Sequence, residues 1–84
     1  MPAHRKHVAA ALREIGSRIA KLRRERGMSQ EALAFEVDIH VNHLSTIERG
    51  IANPSFAVLL AICGVLDTTL SDMTSGIETA KKRR

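Results

Sequence analysis

The chain has 84 residues, and its 13 Lys and Arg against 9 Asp and Glu give a formal net charge of +4 at pH 7. Apolar residues make up 44% and charged residues 26%, which is typical of a folded globular domain. The single cysteine excludes an intramolecular disulfide and a Cys-rich zinc site. No apolar run approaches the roughly 20 residues of a membrane span. We therefore expect one small, soluble, cytoplasmic domain.

Charge is distributed unevenly along the chain. Residues 1–27 carry eight Lys and Arg against two Glu, and residues 28–80 carry one Arg against seven acidic residues. The last four residues are all basic. This asymmetry favours a polyanionic partner for the basic end, although a solvated helix face with solubility tails gives the same pattern.

The first half of the chain predicts two helices. Apolar residues recur every three or four positions from Val8 to Leu22, which is typical of an amphipathic helix. Gly16 lies in the middle of this pattern, so we expect the helix to begin firmly only near it. Gly27 is the expected end of the helix, and Ser29 is the expected N-cap of a second helix that extends to Val37.

The second half predicts three more helices. Residues 38–40 form a tight corner, and a third helix follows from about 41 to 49. The Asn-Pro-Ser run at 53–55 indicates the start of a fourth helix over 56–66, and a short fifth helix is expected near 70–73. Because two short helices joined by a tight turn form a helix-turn-helix unit, the sequence predicts an all-α, five-helix fold around such a unit.

At this point the sequence resembles the Cro/cI-type helix-turn-helix family, the lambda-repressor-like DNA-binding domains. The resemblance covers about residues 14–73 and is carried by the runs 19–23, 27–34, 47–50, 53–55 and 59–66. It implies a compact, five-helix, lambda-repressor-like DNA-binding domain over 14–75. A basic N-terminal arm or helix extension over 1–13 precedes it, and a basic C-terminal tail over 76–84 follows. In this family the third helix lies in the DNA major groove.

The expected DNA contacts come from the outward face of the third helix and from positions matched to the family. Asn42 carries an amide that pairs with adenine, and Val41 offers methyl groups to thymine. Gln30 stands where the family has a glutamine that contacts a phosphate, and its alternative role is an exposed first-turn residue. Arg49 either contacts a phosphate or complements the helix dipole. The full set is Gln30, Val41, Asn42, His43, Ser45, Thr46, Arg49 and Asn53.

Three further features follow from the resemblance and from departures from it. Arg23 and Glu48 match a structural ion pair of the family, with a phosphate contact as the alternative for Arg23. Asp38 occupies a turn position that usually carries Gly, and Asp tolerates a left-handed backbone. The fourth helix is apolar nearly all round, which predicts a dimer interface, with ordinary core as the alternative. The expected interface residues are Val58, Ala61, Val65, Leu70 and Met73.

Other kinds of site find little support. The histidine pairs at 4 and 7 and at 40 and 43 lack further ligands for a metal ion. Cys63 is expected to be a small buried apolar residue. No nucleophile, base and orienting group occur in a catalytic pattern. We therefore expect no enzyme activity, no cofactor and no small-molecule effector.

The sequence thus predicts a homodimeric transcription regulator that reads double-stranded DNA at a palindromic operator. Its two half-sites would lie about 34 Å apart. A phage repressor, a restriction–modification controller and an autoregulator all fit this size. The alternative is a protein-interaction module, such as an antitoxin or anti-regulator, favoured by one Arg against four acidic residues over 28–50. Single-stranded nucleic acid is a weaker alternative, because stacking aromatics are nearly absent.

Overall fold

The computed structural model describes residues 3–77, with side chains from His7 onward. It contains five helices: α1 (Ala3–Glu25), α2 (Gln30–Glu36), α3 (Val41–Glu48), α4 (Phe56–Val65) and α5 (Leu70–Met73). Residues 3–77 contain no strand, so the prediction of an all-α, five-helix fold is confirmed. Residues 1–2 and 78–84 lie outside the described residues, and with them most of the predicted basic tail.

α1 is one continuous helix of 23 residues, so the predicted start near Gly16 was wrong. The three consecutive alanines at 9–11 favour helix and extend it towards the N-terminus. Gly16 allows a close approach of α3: a Cβ atom built on it would lie 2.5 Å from the backbone oxygen of Glu48 and against that of Ile47. The glycine therefore marks a helix contact and not a helix end. Residues 3–13 form the first part of α1.

Each of the four later helices begins at a capping side chain that accepts a hydrogen bond from a backbone amide of the first turn. Ser29, Ser55 and Thr69 cap α2, α4 and α5, at positions where the sequence indicates helix starts. α3 differs, because its cap is the imidazole of His40. These caps separate the short helices sharply from the turns between them.

Two corners use aspartate where glycine is common. Asp38, between α2 and α3, has a φ of 59°, and Asp67, between α4 and α5, has a φ of 56°. Asp adopts this left-handed backbone more readily than most other residues. The prediction that Asp38 maintains the turn is therefore confirmed.

A single apolar core joins the five helices. Its fully buried side chains include Ile19 of α1, Leu33 of α2, Leu44 of α3 and Ile62 of α4. Burial of each such side chain stabilises the fold by about 1.5–3 kcal/mol. Cys63 lies in the same core, as expected, and burial raises the pKa of its thiol. This core fixes α2 and α3 relative to each other and to α1.

Candidate nucleic-acid interface

The outward face of α3 is a short polar surface. Leu44 and Ile47 point into the core, so the opposite side of the helix faces solvent. Eight residues at 1.5 Å per residue make α3 about 12 Å long. The diameter of an α-helix with its side chains, about 10–12 Å, fits the about 12 Å width of the major groove of B-DNA. Asn42, His43 and Arg49 are exposed on this side, whereas Val41, Ser45 and Thr46 are half-buried.

The polar groups of this face have unused hydrogen-bonding capacity. Among the hydrogen bonds of residues 7–77, none involves the side chain of Asn42 or His43. The Thr46 hydroxyl donates to the backbone oxygen of His43 at 2.7 Å, so its oxygen can still accept and its methyl group remains available. Arg49 uses only Nε, in a long bond of 3.4 Å to the backbone oxygen of Ser45.

Gln30, at the start of α2, is tied to the end of α3. Its Nε2 donates to Oε1 of Glu48 at 2.9 Å, and the residue is half-buried. This rules out the alternative of a merely exposed first-turn residue. A side-chain amide carries two N–H donors, so one N–H of Gln30 remains without an acceptor among the described residues.

Arg23 and Glu48 come together in a buried ion pair, with side chains that are 10% and 5% exposed. Arg23 donates from Nε to Oε2 at 2.7 Å and from Nη2 to Oε1 at 3.1 Å. Its Nη1 donates to the backbone oxygen of Met28 at 2.8 Å. With every guanidinium nitrogen engaged inside the protein, Arg23 does not serve as a phosphate contact. Arg23, Glu48 and Gln30 form a buried clamp that joins α1, α2 and α3.

Three exposed arginines stay outside the ion pairs of the described residues. Those pairs are Arg18–Glu14, Lys21–Glu25, Arg23–Glu48 and Arg26–Asp67. Arg13 and Arg24 of α1 and Arg49 at the end of α3 belong to none of them. Arg13 lies against Gly50, the residue after Arg49. Asn53 is likewise exposed, in the loop after α3. These side chains are available to an anionic ligand.

α4 carries an exposed apolar face that differs in part from the predicted one. Phe56 is 65% exposed and Leu60 is 44% exposed. Three small exposed residues share this side of the helix, and we define the α4 apolar face as Phe56, Ala57, Leu60, Ala61 and Gly64.

Only Ala61 of the five predicted interface residues lies on the α4 apolar face. Val58, Val65 and Leu70 are half-buried and pack against the core. Met73 is 2% exposed, so its predicted place in a dimer interface was wrong, because its side chain closes the core beneath α5. The exposure of Phe56 and Leu60 was not predicted, because every residue of α4 is apolar or glycine and the sequence does not indicate which side faces solvent.

The described residues show no sign of two other classes of site. Within residues 7–77, no three His, Cys, Asp or Glu side chains come together as a metal-binding group. His4 of the first histidine pair lies outside the described side chains. None of the helices in the described part of the chain is long and apolar enough to cross a membrane.

The fold and this surface define a helix-turn-helix protein. A family model described as helix-turn-helix matches residues 19–73, and the chain belongs to this Cro/cI-type family. The HTH-type transcriptional regulator DdrOP3 of Deinococcus deserti is 36% identical over 61 residues, which are 73% of this chain and 47% of that protein. Control protein C.MunI of a Mycoplasma species is 39% identical over 64 residues, which are 75% of this chain and 86% of that protein.

Two further similarities agree with this membership. The immunity repressor protein of Bacillus phage phi105 is 37% identical over 57 residues, which are 68% of this chain and 40% of that protein. A chain of the solved SinR protein/SinI protein complex aligns with a TM-score of 0.70 and 35% identity, over 74% of this chain and 61% of that chain. The chain spans about half the length of the Deinococcus regulator. Members of this family are transcription regulators and not enzymes, which is the class of protein that the sequence predicts.

Proposed function

We propose that the chain is a homodimeric transcription regulator that binds double-stranded DNA at a palindromic operator. The observation that carries this proposal is the outward face of α3, where polar groups with unused hydrogen-bonding capacity are held on a fixed helix. The buried clamp and the core set the position of that face. The similar proteins described as transcriptional regulators, a control protein and an immunity repressor support the same function.

In this proposal α3 enters the major groove and its first turn reads the bases. The free amide of Asn42 offers a donor and an acceptor to adenine, and the methyl groups of Val41 and Thr46 contact thymine. Ser45 adds a hydroxyl that bonds either a donor or an acceptor. Phosphates are bound by the second N–H of the Gln30 amide and by the side chains of His43, Arg49 and Asn53.

The α4 apolar face supplies the homodimer contact. A solvent-exposed patch with a phenylalanine and a leucine is unfavourable in water, and a two-fold contact between copies would bury it. Phe56 and Leu60 would form its centre, and the small residues Ala57, Ala61 and Gly64 would allow close approach. A two-fold axis would place two copies of α3 on successive major grooves, about 34 Å apart.

The DNA proposal is tested by in-vitro selection on random duplexes, followed by affinity measurements on the enriched site. We expect a two-fold symmetric motif. Asn42→Ala should lose about 5- to 150-fold on that motif and little on unrelated DNA, because one bidentate pair gives about 1–3 kcal/mol of discrimination. The matched control is Arg49→Ala, which should weaken binding to all sequences and reduce the salt slope by about one.

The dimer proposal is tested by Gly64→Glu in sedimentation equilibrium. A Cβ atom on Gly64 meets no atom within 4 Å, so the monomer fold accepts a side chain there, whereas a packed partner does not. Ser71→Glu, at an exposed position on α5, is the matched control and should remain dimeric. A dimeric Gly64→Glu variant would exclude the α4 apolar face as the contact, and a monomeric wild-type chain would exclude the dimer.

A protein-interaction module is the second candidate. It is favoured by the exposed carboxylates of Glu31, Glu36 and Asp38 beside α3, which repel phosphates and have no cation within 4.0 Å among the described residues. The selection experiment separates the two candidates. If no sequence is enriched at low salt, the DNA proposal is refuted and the protein-interaction module remains.

A further inference from the structure

His40 occupies an unusual position for a histidine, immediately before the first residue of α3. Its backbone is extended, with φ −68° and ψ 143°, and its ring Nδ1 accepts a hydrogen bond from the backbone amide of Asn42 at 3.1 Å. The other described caps are hydroxyl groups of Ser or Thr, which accept at any ordinary pH. The first turn of α3 therefore depends on an imidazole.

An imidazole nitrogen accepts a hydrogen bond only when it carries no proton. The observed contact thus requires neutral His40 with its proton on Nε2. Protonation of Nδ1 would remove the acceptor and place a positive charge beside the N-terminal end of α3, where the helix dipole disfavours it. Histidine is the side chain that ordinarily changes charge between about pH 5 and 8.

We propose that His40 is a positioning residue that makes the DNA affinity of α3 depend on pH. Neutral His40 holds the first turn, and with it Asn42 and Val41, in the conformation that reads bases. The cap is complete while Nδ1 carries no proton and is lost when acidification protonates that nitrogen. This inference rests on the proposed function of α3.

The titratable and charged groups closest to His40 along the chain are Glu36 at the end of α2, Asp38 in the corner and His43 in the first turn of α3. None of the ion pairs among the described residues includes His40. DNA phosphates favour protonation of every nearby histidine, so total affinity against pH does not isolate the cap. A comparison of the DNA affinities of variants at each pH isolates the effect of the cap.

The first test uses the free protein and needs no DNA. Nitrogen-15 NMR of the imidazole rings should show His40 as the Nε2–H tautomer at about pH 8. Protection of the Asn42 amide from hydrogen exchange should fall on acidification together with protonation of His40. An Nδ1–H tautomer, or an Asn42 amide indifferent to pH, would overturn the proposal. Because this result is independent of DNA binding, its failure is distinguishable from failure of the proposed function.

The second test compares DNA affinity of the wild-type chain, His40→Ser and His40→Ala between about pH 8 and 5.5. Serine keeps an acceptor at every pH. The ratio of the wild-type Kd to the His40→Ser Kd should rise about fivefold on acidification, the equivalent of one N-cap. His40→Ala should stay about fivefold weaker than His40→Ser throughout.

The matched control is His7→Ser, a half-buried position on α1, which should reproduce the wild-type pH profile. A ratio independent of pH, or a wild-type chain that binds more tightly than His40→Ser in acid, would overturn the proposal. The latter result would mean that the protonated ring contacts a phosphate directly. If His7→Ser loses the pH dependence of DNA affinity seen in the wild-type chain, the dependence belongs to His7 and the proposal for His40 is wrong.

Discussion

Glu48→Ala should destabilise the fold strongly, because it leaves the Arg23 guanidinium buried without its counter-charge. In the wild-type chain the carboxylate of Glu48 accepts from Nε and Nη2 of Arg23 and from Nε2 of Gln30. All three donors lose their acceptor together. Breaking a buried ion pair by removal of one partner costs about 3–5 kcal/mol. A chain of this length has a free energy of unfolding of only about 4–13 kcal/mol, so the loss is a large fraction of the total.

The cause of the loss can be separated from the loss itself with a double variant. Arg23→Met combined with Glu48→Met removes both charges and replaces them with apolar side chains of similar length. Replacing a buried ion pair by well-packed apolar residues is often neutral or stabilising by about 1–4 kcal/mol. We therefore expect the double variant to unfold at a higher urea concentration than either Arg23→Met or Glu48→Met alone. The surface pair offers a control, since Arg26→Ala, opposite the exposed Asp67, should cost no more than about 1 kcal/mol.

Urea denaturation followed by far-ultraviolet circular dichroism measures all these variants on one scale. A Glu48→Ala variant that loses no more stability than Arg26→Ala would refute the argument that the clamp is desolvated. A double variant less stable than both single variants would refute the unpaired buried charge as the cause. It would instead assign the stabilisation to the attraction within the pair.

Two other predictions concern the packing of the helices. Gly16→Ala should lower the free energy of unfolding by about 1–3 kcal/mol, because its Cβ overlaps backbone oxygens of α3. Gly64→Ala, measured at a concentration where the chain is monomeric, should raise it by up to about 1 kcal/mol. Equal effects of the two substitutions would contradict the close approach at Gly16. Cys63 should react with a thiol reagent much more slowly in the folded chain than in urea, and rapid labelling of the native protein would contradict its burial. Because burial raises the pKa of the Cys63 thiol, the unfolded chain loses this proton first, and stability should decline as pH rises above the ordinary thiol pKa.

The order of the helices could be predicted because its signals are local. Ser29 and the Asn-Pro-Ser run at 53–55 act on their own first turns, and Leu44 and Ile47 alone define the inner side of α3. The outward face of α3 follows from them. The start of α1 was mispredicted because Gly16 was interpreted by its low helix propensity, whereas its role is to allow the close contact with α3. That contact joins segments about 30 residues apart in the chain, so the spacing of apolar residues within one helix does not predict it.

Side-chain geometry was beyond the reach of the sequence. The bond from Gln30 to Glu48 and the cap formed by His40 depend on rotamers and distances within a folded chain. Met73 was misplaced because a helix of four residues is too short for its buried side to be read from spacing. The exposed Phe56 and Leu60 were hidden by the uniformly apolar composition of α4.

The absence of a side chain at Gly16 has a consequence for how α3 meets a ligand. The backbone of α1 lies directly against the backbone of α3 near Ile47 and Glu48, so no rotamer choice intervenes between the two helices. Binding ordinarily loses entropy when side chains and segments become immobilised, at about 0.5–1.5 kcal/mol for each flexible side chain. Here folding already orders the helix that presents Asn42 and Thr46. Any ligand of α3 therefore meets a backbone that is already ordered, and only exposed side chains such as Asn42 remain to be immobilised on binding.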